Sequence, residues 1–174
     1  MHNEVKTYCE SIKAKFPEYF KNKMVLDVWS LDINGNNRYL FEDCNYAWYD
    51  LWEWPNVDYI LDFSKERQDD MFYPKWNVVI STEMLEHCNN VEIALKNMLE
   101  SLVSWWLLLI TAAWEWRPEH WTSNNDPDSS PFTNDHYKNI TEKDIIEALN
   151  PDENFSEYEI STINNDIRFY WIKK

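Results

Sequence analysis

Apolar residues recur at two spacings along this chain, and the switches between them mark its elements. Val5, Tyr8, Cys9, Ile12, Phe16, Tyr19 and Phe20 fall at helical spacing, which predicts an amphipathic helix within 1–22, bent or ended by Pro17. Met24–Val28, Tyr46–Leu51, Val57–Leu61, Asn77–Ser81 and Leu107–Ala112 are short apolar runs and read as buried strands. Asn36–Phe41 suits a short helix, and Ser64–Asp70 a weak helix or loop. Val91, Ala94, Leu95, Met98, Leu99 and Leu102 mark a stronger helix. Residues 114–139 lack a period and are rich in Pro, Asn, Asp and Ser, so they predict a long irregular segment, a type that is often functional. Thr141 caps a helix through Ala148, with Asp144 at the capping-box position. Phe155–Thr162 and Ile167–Ile172 pair as a hairpin across Asn164-Asn165-Asp166.

Strand–helix alternation followed by a hairpin predicts an α/β fold with a mostly parallel sheet, in one domain over 1–174. Ligands of such sheets bind at the carboxyl ends of the strands. That rule selects the stretches after Val28, Asp50, Leu61, Ile80 and Ala112.

Composition adds an anomaly. The chain holds 11 Trp and a single Gly, Gly35, where about 7% glycine is usual. Trp29 follows a strand, Trp105-Trp106 precede one, and Trp52, Trp54, Trp114, Trp116 and Trp121 fall in polar, Pro-containing loops. Such places call for φ > 0 or close backbone approach, which glycine supplies and tryptophan does not. Most of these tryptophans therefore read as glycine positions. A gene that uses UGA for glycine, translated with UGA as tryptophan, gives this pattern, and so does deliberate substitution. Trp76, beside Val78-Val79-Ile80, fits least well. The rival is a chain that uses Trp in its core, as an interaction protein without a cofactor.

The net charge of −15 disfavours nucleic acid and anionic membranes as partners. Cys9, Cys44 and Cys88 are odd in number and widely spaced, which points to reduced thiols in a cytoplasmic protein. The polar N-terminus does not read as a signal peptide, and the longest apolar run, Trp105–Ala113, is too short to span a bilayer.

With glycine at position 29, residues 25–35 become an acidic residue, a glycine turn and a helix start, which together form a nucleotide-binding turn. Asp50 ends the next strand, where a carboxylate can accept both ribose hydroxyls. The missing GxGxxG disfavours a dehydrogenase, and the missing GxxxxGK[ST] a P-loop.

These blocks resemble the Rossmann-like (class I) S-adenosylmethionine-dependent methyltransferases over nearly the whole chain. Val25–Gly35 is similar to the motif that holds the cofactor's methionine part, Tyr49-Asp50 to the ribose motif, and Asp62-Phe63 to the pair flanking adenine. Val79–His87 is similar to the fourth-strand motif with its Leu-Glu-His ending. Ser104–Ile110 resembles a Pro-Gly-Gly turn into strand five, with both glycines written as Trp. Leu31 and Ile33 depart from further family glycines. The resemblance implies a seven-stranded sheet ending in an antiparallel hairpin, S-adenosylmethionine as cofactor, and cofactor contacts from Asp27, position 29 (Trp29), Ser30, Asp50, Leu51, Asp62, Phe63, Ser81 and Thr82.

Methyl transfer asks the protein mainly to align a nucleophile and exclude water. Glu83, Glu86, His87 and His120 are candidates around the acceptor. His120 lies in Arg117-Pro118-Glu119-His120-Trp121-Thr122 just past strand five, His87 closes the fourth-strand motif, and an imidazole suits base work near neutral pH. His2 reads as solvated, and His136 as lining the pocket or facing water. No ligand spacing marks a metal site. The acceptor is expected to be a small molecule or a protein, and the sequence leaves the oligomeric state open. A non-catalytic nucleotide-binding module on the same fold is the alternative.

Overall fold

The computed structural model describes residues 2–29, 32, 35–66 and 75–174. Its elements run α1 (Asn3–Lys15), β1 (Met24–Val28), β2 (Asn45–Asp50), β3 (Tyr59–Ile60), β4 (Trp76–Thr82), α2 (Val91–Ser101), β5 (Leu102–Ala113), α3 (Glu142–Leu149), α4 (Pro151–Asn154), β6 (Phe155–Ile163) and β7 (Asp166–Lys173). The strands form one seven-stranded sheet in the order β3-β2-β1-β4-β5-β7-β6. Strands β1 to β5 pair in parallel, and β7 is antiparallel to both β5 and β6. The α/β class, the mostly parallel sheet and the closing hairpin are as the sequence predicts.

Alternating residues of each strand serve two cores, as the pleat requires. Leu26 and Val28 of β1, Leu108 and Ile110 of β5, and Phe169 and Trp171 of β7 pack with α2 and α3 through Leu95, Met98, Ile145 and Leu149. Val25, Leu107, Leu109 and Tyr170 face the other side, where Val5, Cys9 and Ile12 of α1 cover them. Both faces are buried, so the strands read as continuous apolar runs. The Thr141 side chain accepts from the Asp144 backbone, and Asp144 accepts back from the Thr141 N–H, closing the predicted capping box.

Four elements differ from expectation. The first helix stops at Lys15, and Pro17–Phe20 forms a separate 3-10 turn, because proline cannot extend the α-helical ladder. Strand β3 shrinks to an exposed two-residue edge at Tyr59–Ile60. Strand β5 begins at Leu102, not Leu107. Trp76 pairs with Leu102 while Val78 pairs with Leu107, so Val103–Trp106 bulge from the ladder. The expected helix over Asn36–Phe41 tightens to a 3-10 turn at Arg38–Leu40, and part of the expected Ser64–Asp70 element lies outside the described residues.

The tryptophans divide by backbone geometry. Trp29 (φ 55°), Trp105 (φ 67°), Trp116 (φ 70°) and Trp121 (φ 56°) lie in the left-handed region. Trp106, paired with Trp105 in the expected turn, does not. Trp48, Trp76 and Trp171 are buried strand residues.

Candidate functional site

Because β2, β1, β4 and β5 are neighbours and parallel, their carboxyl ends share one edge of the sheet. The residue after β1, Trp29, turns the chain at φ 55° while its N–H donates to the Tyr49 carbonyl at 2.7 Å. Its half-buried indole packs against the α2-side core, and Nε1 is buried without a partner. Ser30 lies outside the described residues, as do Leu31 and Ile33.

Asp27 is fully buried and points inward. It accepts from the Tyr46 hydroxyl and, at 3.3 Å, from Asn37 Nδ2. Asn37 also donates to Thr82 Oγ1 at 3.1 Å, and Ser81 Oγ donates to the Val28 carbonyl at 3.0 Å. These bonds pin the ends of β1 and β4 together. Burial pushes the Asp27 carboxyl up to about 7, against the opposing pull of Tyr46 and Asn37. A folded-state value above the unfolded one means the native state binds the extra proton, so Asp27 weakens stability as pH rises from about 4 to about 7. Asp27→Asn is expected to gain on the wild type between pH 4 and pH 8 by on the order of 3 kcal/mol. Urea unfolding at the two pH values measures it, and parallel curves would show that Asp27 titrates normally.

Asp50 ends β2, nearly buried, and accepts from the Trp52 N–H at 3.2 Å. Leu51 follows it, half-buried. Asp62 caps its own turn, accepting from the Ser64 N–H at 2.9 Å and the Ser64 hydroxyl at 2.6 Å. Phe63 is fully buried against Tyr49 and the α2-side core, leaving no ring surface for an adenine. Its phenyl group is worth more in the core than at the rim. The long segment after β5 reaches back over this edge, since Phe132 packs edge-on against Trp52 and Trp54 beyond β2.

The fourth-strand motif splits between two clusters. Glu83, at φ 58°, accepts from Arg117 Nη2 at 2.9 Å and from Thr111 Oγ1 at 3.3 Å, and it pairs with His2 Nε2 at 3.0 Å. Arg117 also binds Asp166, which pairs with Arg168 at 3.2 Å. Burial alone would raise the Glu83 carboxyl, but His2 and Arg117 together hold it below the usual range. His2 is thus not the solvated residue its terminal position suggests. The hydrogen bond to Glu83 raises its imidazole, against the opposing effect of burial.

Glu86, His87 and His120 gather separately. Leu85–His87 forms a 3-10 turn after β4 that buries both Glu86 and His87. His120 comes from the loop after β5, with Nε2 at 3.9 Å from Glu86 Oε1 and its ring 5.2 Å from that of His87. Trp121 stacks on His87 at 5.7 Å, and Tyr137 meets His120 edge-on at 4.9 Å. Burial lowers His87 to about 4 and lowers His120, so both imidazoles are neutral at pH 7. Burial and the Glu83 carboxylate push Glu86 well up. Of the four expected acceptor-side residues, the fold brings Glu86, His87 and His120 together and places Glu83 in the ionic network. Sequence reasoning missed Asp166, Asn37, Tyr46 and Tyr137 as partners. Nothing local marks them, since each meets its partner across strands or through the long loop.

No protein-family model matches the sequence, and no curated protein matches it. Solved structures do. The CurJ carbon methyltransferase superimposes with a TM-score of 0.64 at 10% identity, over 97% of this chain and 54% of that one. Phosphoethanolamine N-methyltransferase 2 of Haemonchus contortus, bound to S-adenosylmethionine, gives 0.66 at 12%, over 96% and 52%. The chain spans about half the length of these two enzymes. The 1,6-didemethyltoxoflavin-N1-methyltransferase of Burkholderia thailandensis, bound to its substrate and S-adenosylhomocysteine, gives 0.64 at 13%, over 99% and 79%. Among the described residues, no helix is long and apolar enough to cross a membrane. The strand order, the parallel pairing, the closing hairpin and these superpositions together give this chain the Rossmann-like class I fold of the S-adenosylmethionine-dependent methyltransferases.

Proposed function

We propose that the chain, once glycine stands at positions 29, 105, 116 and 121, binds S-adenosylmethionine across the carboxyl ends of β1, β2 and β4 and transfers its methyl group to a small-molecule or protein acceptor. The observation that carries the reading is the pairing of a left-handed turn after β1, at Trp29, with a carboxylate ending the adjacent parallel strand, at Asp50. The turn allows close backbone approach to a ligand, and the carboxylate suits two ribose hydroxyls. Ser81, Thr82 and Asn37 brace the ends of β1 and β4 beside that turn, and Phe132 packs against Trp52 and Trp54 beyond β2. The bound cofactor supplies an activated methyl group, so the chain's own work is to align the acceptor and exclude water. His120 and His87, neutral and next to the cleft's β4 wall, are the groups we assign to the acceptor side. The acidic surface favours an acceptor that is not a nucleic acid.

In the chain with glycine at positions 29, 105, 116 and 121, Asp50→Ala is expected to weaken cofactor binding by about 10- to 150-fold, the loss of charge-assisted hydrogen bonds worth roughly 1.5–3 kcal/mol. Asp43→Ala, in the turn before β2, is the matched control for charge and is expected to bind as the parent does. Calorimetry on folded protein reads both. Unchanged affinity in Asp50→Ala would remove the ribose assignment and most of the case for an adenosine cofactor. Cofactor bound with no turnover on any acceptor would instead favour a non-catalytic binding module.

A further inference from the structure

Glu86 is fully buried, and neither carboxylate oxygen has a hydrogen-bond partner. The backbone N–H groups of Glu86 and Ala113 favour its charged form without closing a bond. A buried unpaired carboxylate is costly, so something is expected to compensate it. Two imidazoles face it. His87 Nδ1 donates to the His136 carbonyl at 3.0 Å, and His120 Nδ1 donates to the Pro118 carbonyl at 3.1 Å. Each bond fixes the tautomer and leaves Nε2 as a lone-pair donor. His87 Nε2 is likewise buried and unpartnered.

We propose that Glu86, His87 and His120 form a three-ligand site for a divalent transition-metal ion, with zinc or cobalt as its probe. One ligand atom from each of the three lies within 4.8 Å of the other two. Donor atoms on a tetrahedral zinc stand about 3.4 Å apart, so closure needs a contraction of about 1 Å, within reach of a small rotation of His120 on its loop. Two neutral imidazoles and one carboxylate suit zinc, cobalt or ferrous iron, and leave a coordination position open. The Nδ1–H bonds to backbone carbonyls are the outer contacts that orient histidine ligands. The ion would supply the positive partner that a deprotonated Glu86 needs at this depth, and the partly exposed His120 gives it a way in. The neighbouring trio of His2, Glu83 and Asp166 has similar spacing, but Arg117 already sits between its two carboxylates and supplies the positive charge. Metal binding is read directly, so this site stands or falls apart from methyl transfer.

Cobalt(II) is titrated into the metal-stripped full chain, as written and with glycine at positions 29, 105, 116 and 121, and visible absorption and zinc competition are followed. One saturable equivalent is expected. Glu86→Gln and His120→Ala are expected to weaken it by about 100-fold or more. His136→Ala should leave it unchanged, because only the backbone of His136 contacts His87. His120→Ala changes an exposed loop, and circular dichroism checks that it stays folded. Absence of saturable absorption in both forms, or parent-like affinity in Glu86→Gln and His120→Ala, would overturn the site.

Discussion

Replacing Trp29, Trp105, Trp116 and Trp121 with glycine is expected to raise stability and to turn a chain that binds no measurable S-adenosylmethionine into one that does. The physical reason is the Cβ atom. At φ between 55° and 70° it crowds the following carbonyl, at roughly 1–2 kcal/mol per residue. Asn and Asp tolerate this region, and among the described residues every other non-glycine residue found there is Asn or Asp, apart from Glu83. Trp105 and Trp116 are 66% and 83% exposed, so their removal gives up little burial. After the extra chain entropy of glycine is deducted, each is expected to gain about 1 kcal/mol. Trp29 and Trp121 are half-buried, and the lost packing offsets their gain. Their effect is on ligands: the Trp29 indole stands in the turn that the cofactor's methionine end would approach. An affinity difference of about 100-fold or more, ~3 kcal/mol, is expected between the two forms. Calorimetry on both forms and denaturant melts of the Trp105→Gly/Trp116→Gly double variant are the measurements. Equal affinity would show the cofactor turn to be misplaced. The coding sequence gives an independent reading. UGA at most of the tryptophan positions, including Trp29, Trp105, Trp106 and Trp121, supports recoding from glycine, and UGG at those four removes it.

The second large effect is expected at Arg117. Its guanidinium joins Glu83 and Asp166, whose side chains are 6% and 0% exposed. Arg117→Ala leaves both carboxylates buried with only His2 and Arg168 to compensate. Breaking a buried pair in this way costs about 3–5 kcal/mol. Glu83→Gln in the same background is expected to recover part of the loss, because it removes one of the stranded charges. Denaturant unfolding of Arg117→Ala, Glu83→Gln and the double variant closes the cycle. A loss below about 1 kcal/mol would place the network with ordinary surface pairs. The expectation also explains how Glu83 is held at φ 58°. Thr111, His2 and Arg117 fix its side chain, while its N–H donates to the Thr111 carbonyl at 2.9 Å. Several fixed contacts over-determine a conformation that one alone would not hold.

The sequence determined the layers. Continuous apolar runs at Met24–Val28 and Leu107–Ala112 could only be strands buried on both faces, and the helical spacing from Val91 required a helix to cover one of them. It also marked Trp29, Trp52, Trp54, Trp105, Trp106, Trp114, Trp116 and Trp121 as positions unsuited to a large side chain, because turn signals are local and neighbouring residues reveal them. It placed Asp50 at the end of its strand for the same reason. The left-handed backbone is found at Trp29, Trp105, Trp116 and Trp121 but not at the other four tryptophans. Only the tertiary structure decided which polar groups meet. Asp27 looked like a cleft residue, yet the pleat turned its carboxylate inward to Tyr46 and Asn37. Phe63 looked like a rim residue, yet the α2-side core absorbed it. Glu83 and Glu86 are three apart and joined different clusters. The turn after β4 sent one toward Arg117 and Asp166, and the other toward its neighbour His87 and toward His120 from the loop after β5. Periodicity reports the environment of a side chain relative to its own element. Partners across the sheet or along an irregular loop are set by how elements pack, and no local pattern in the chain encodes that.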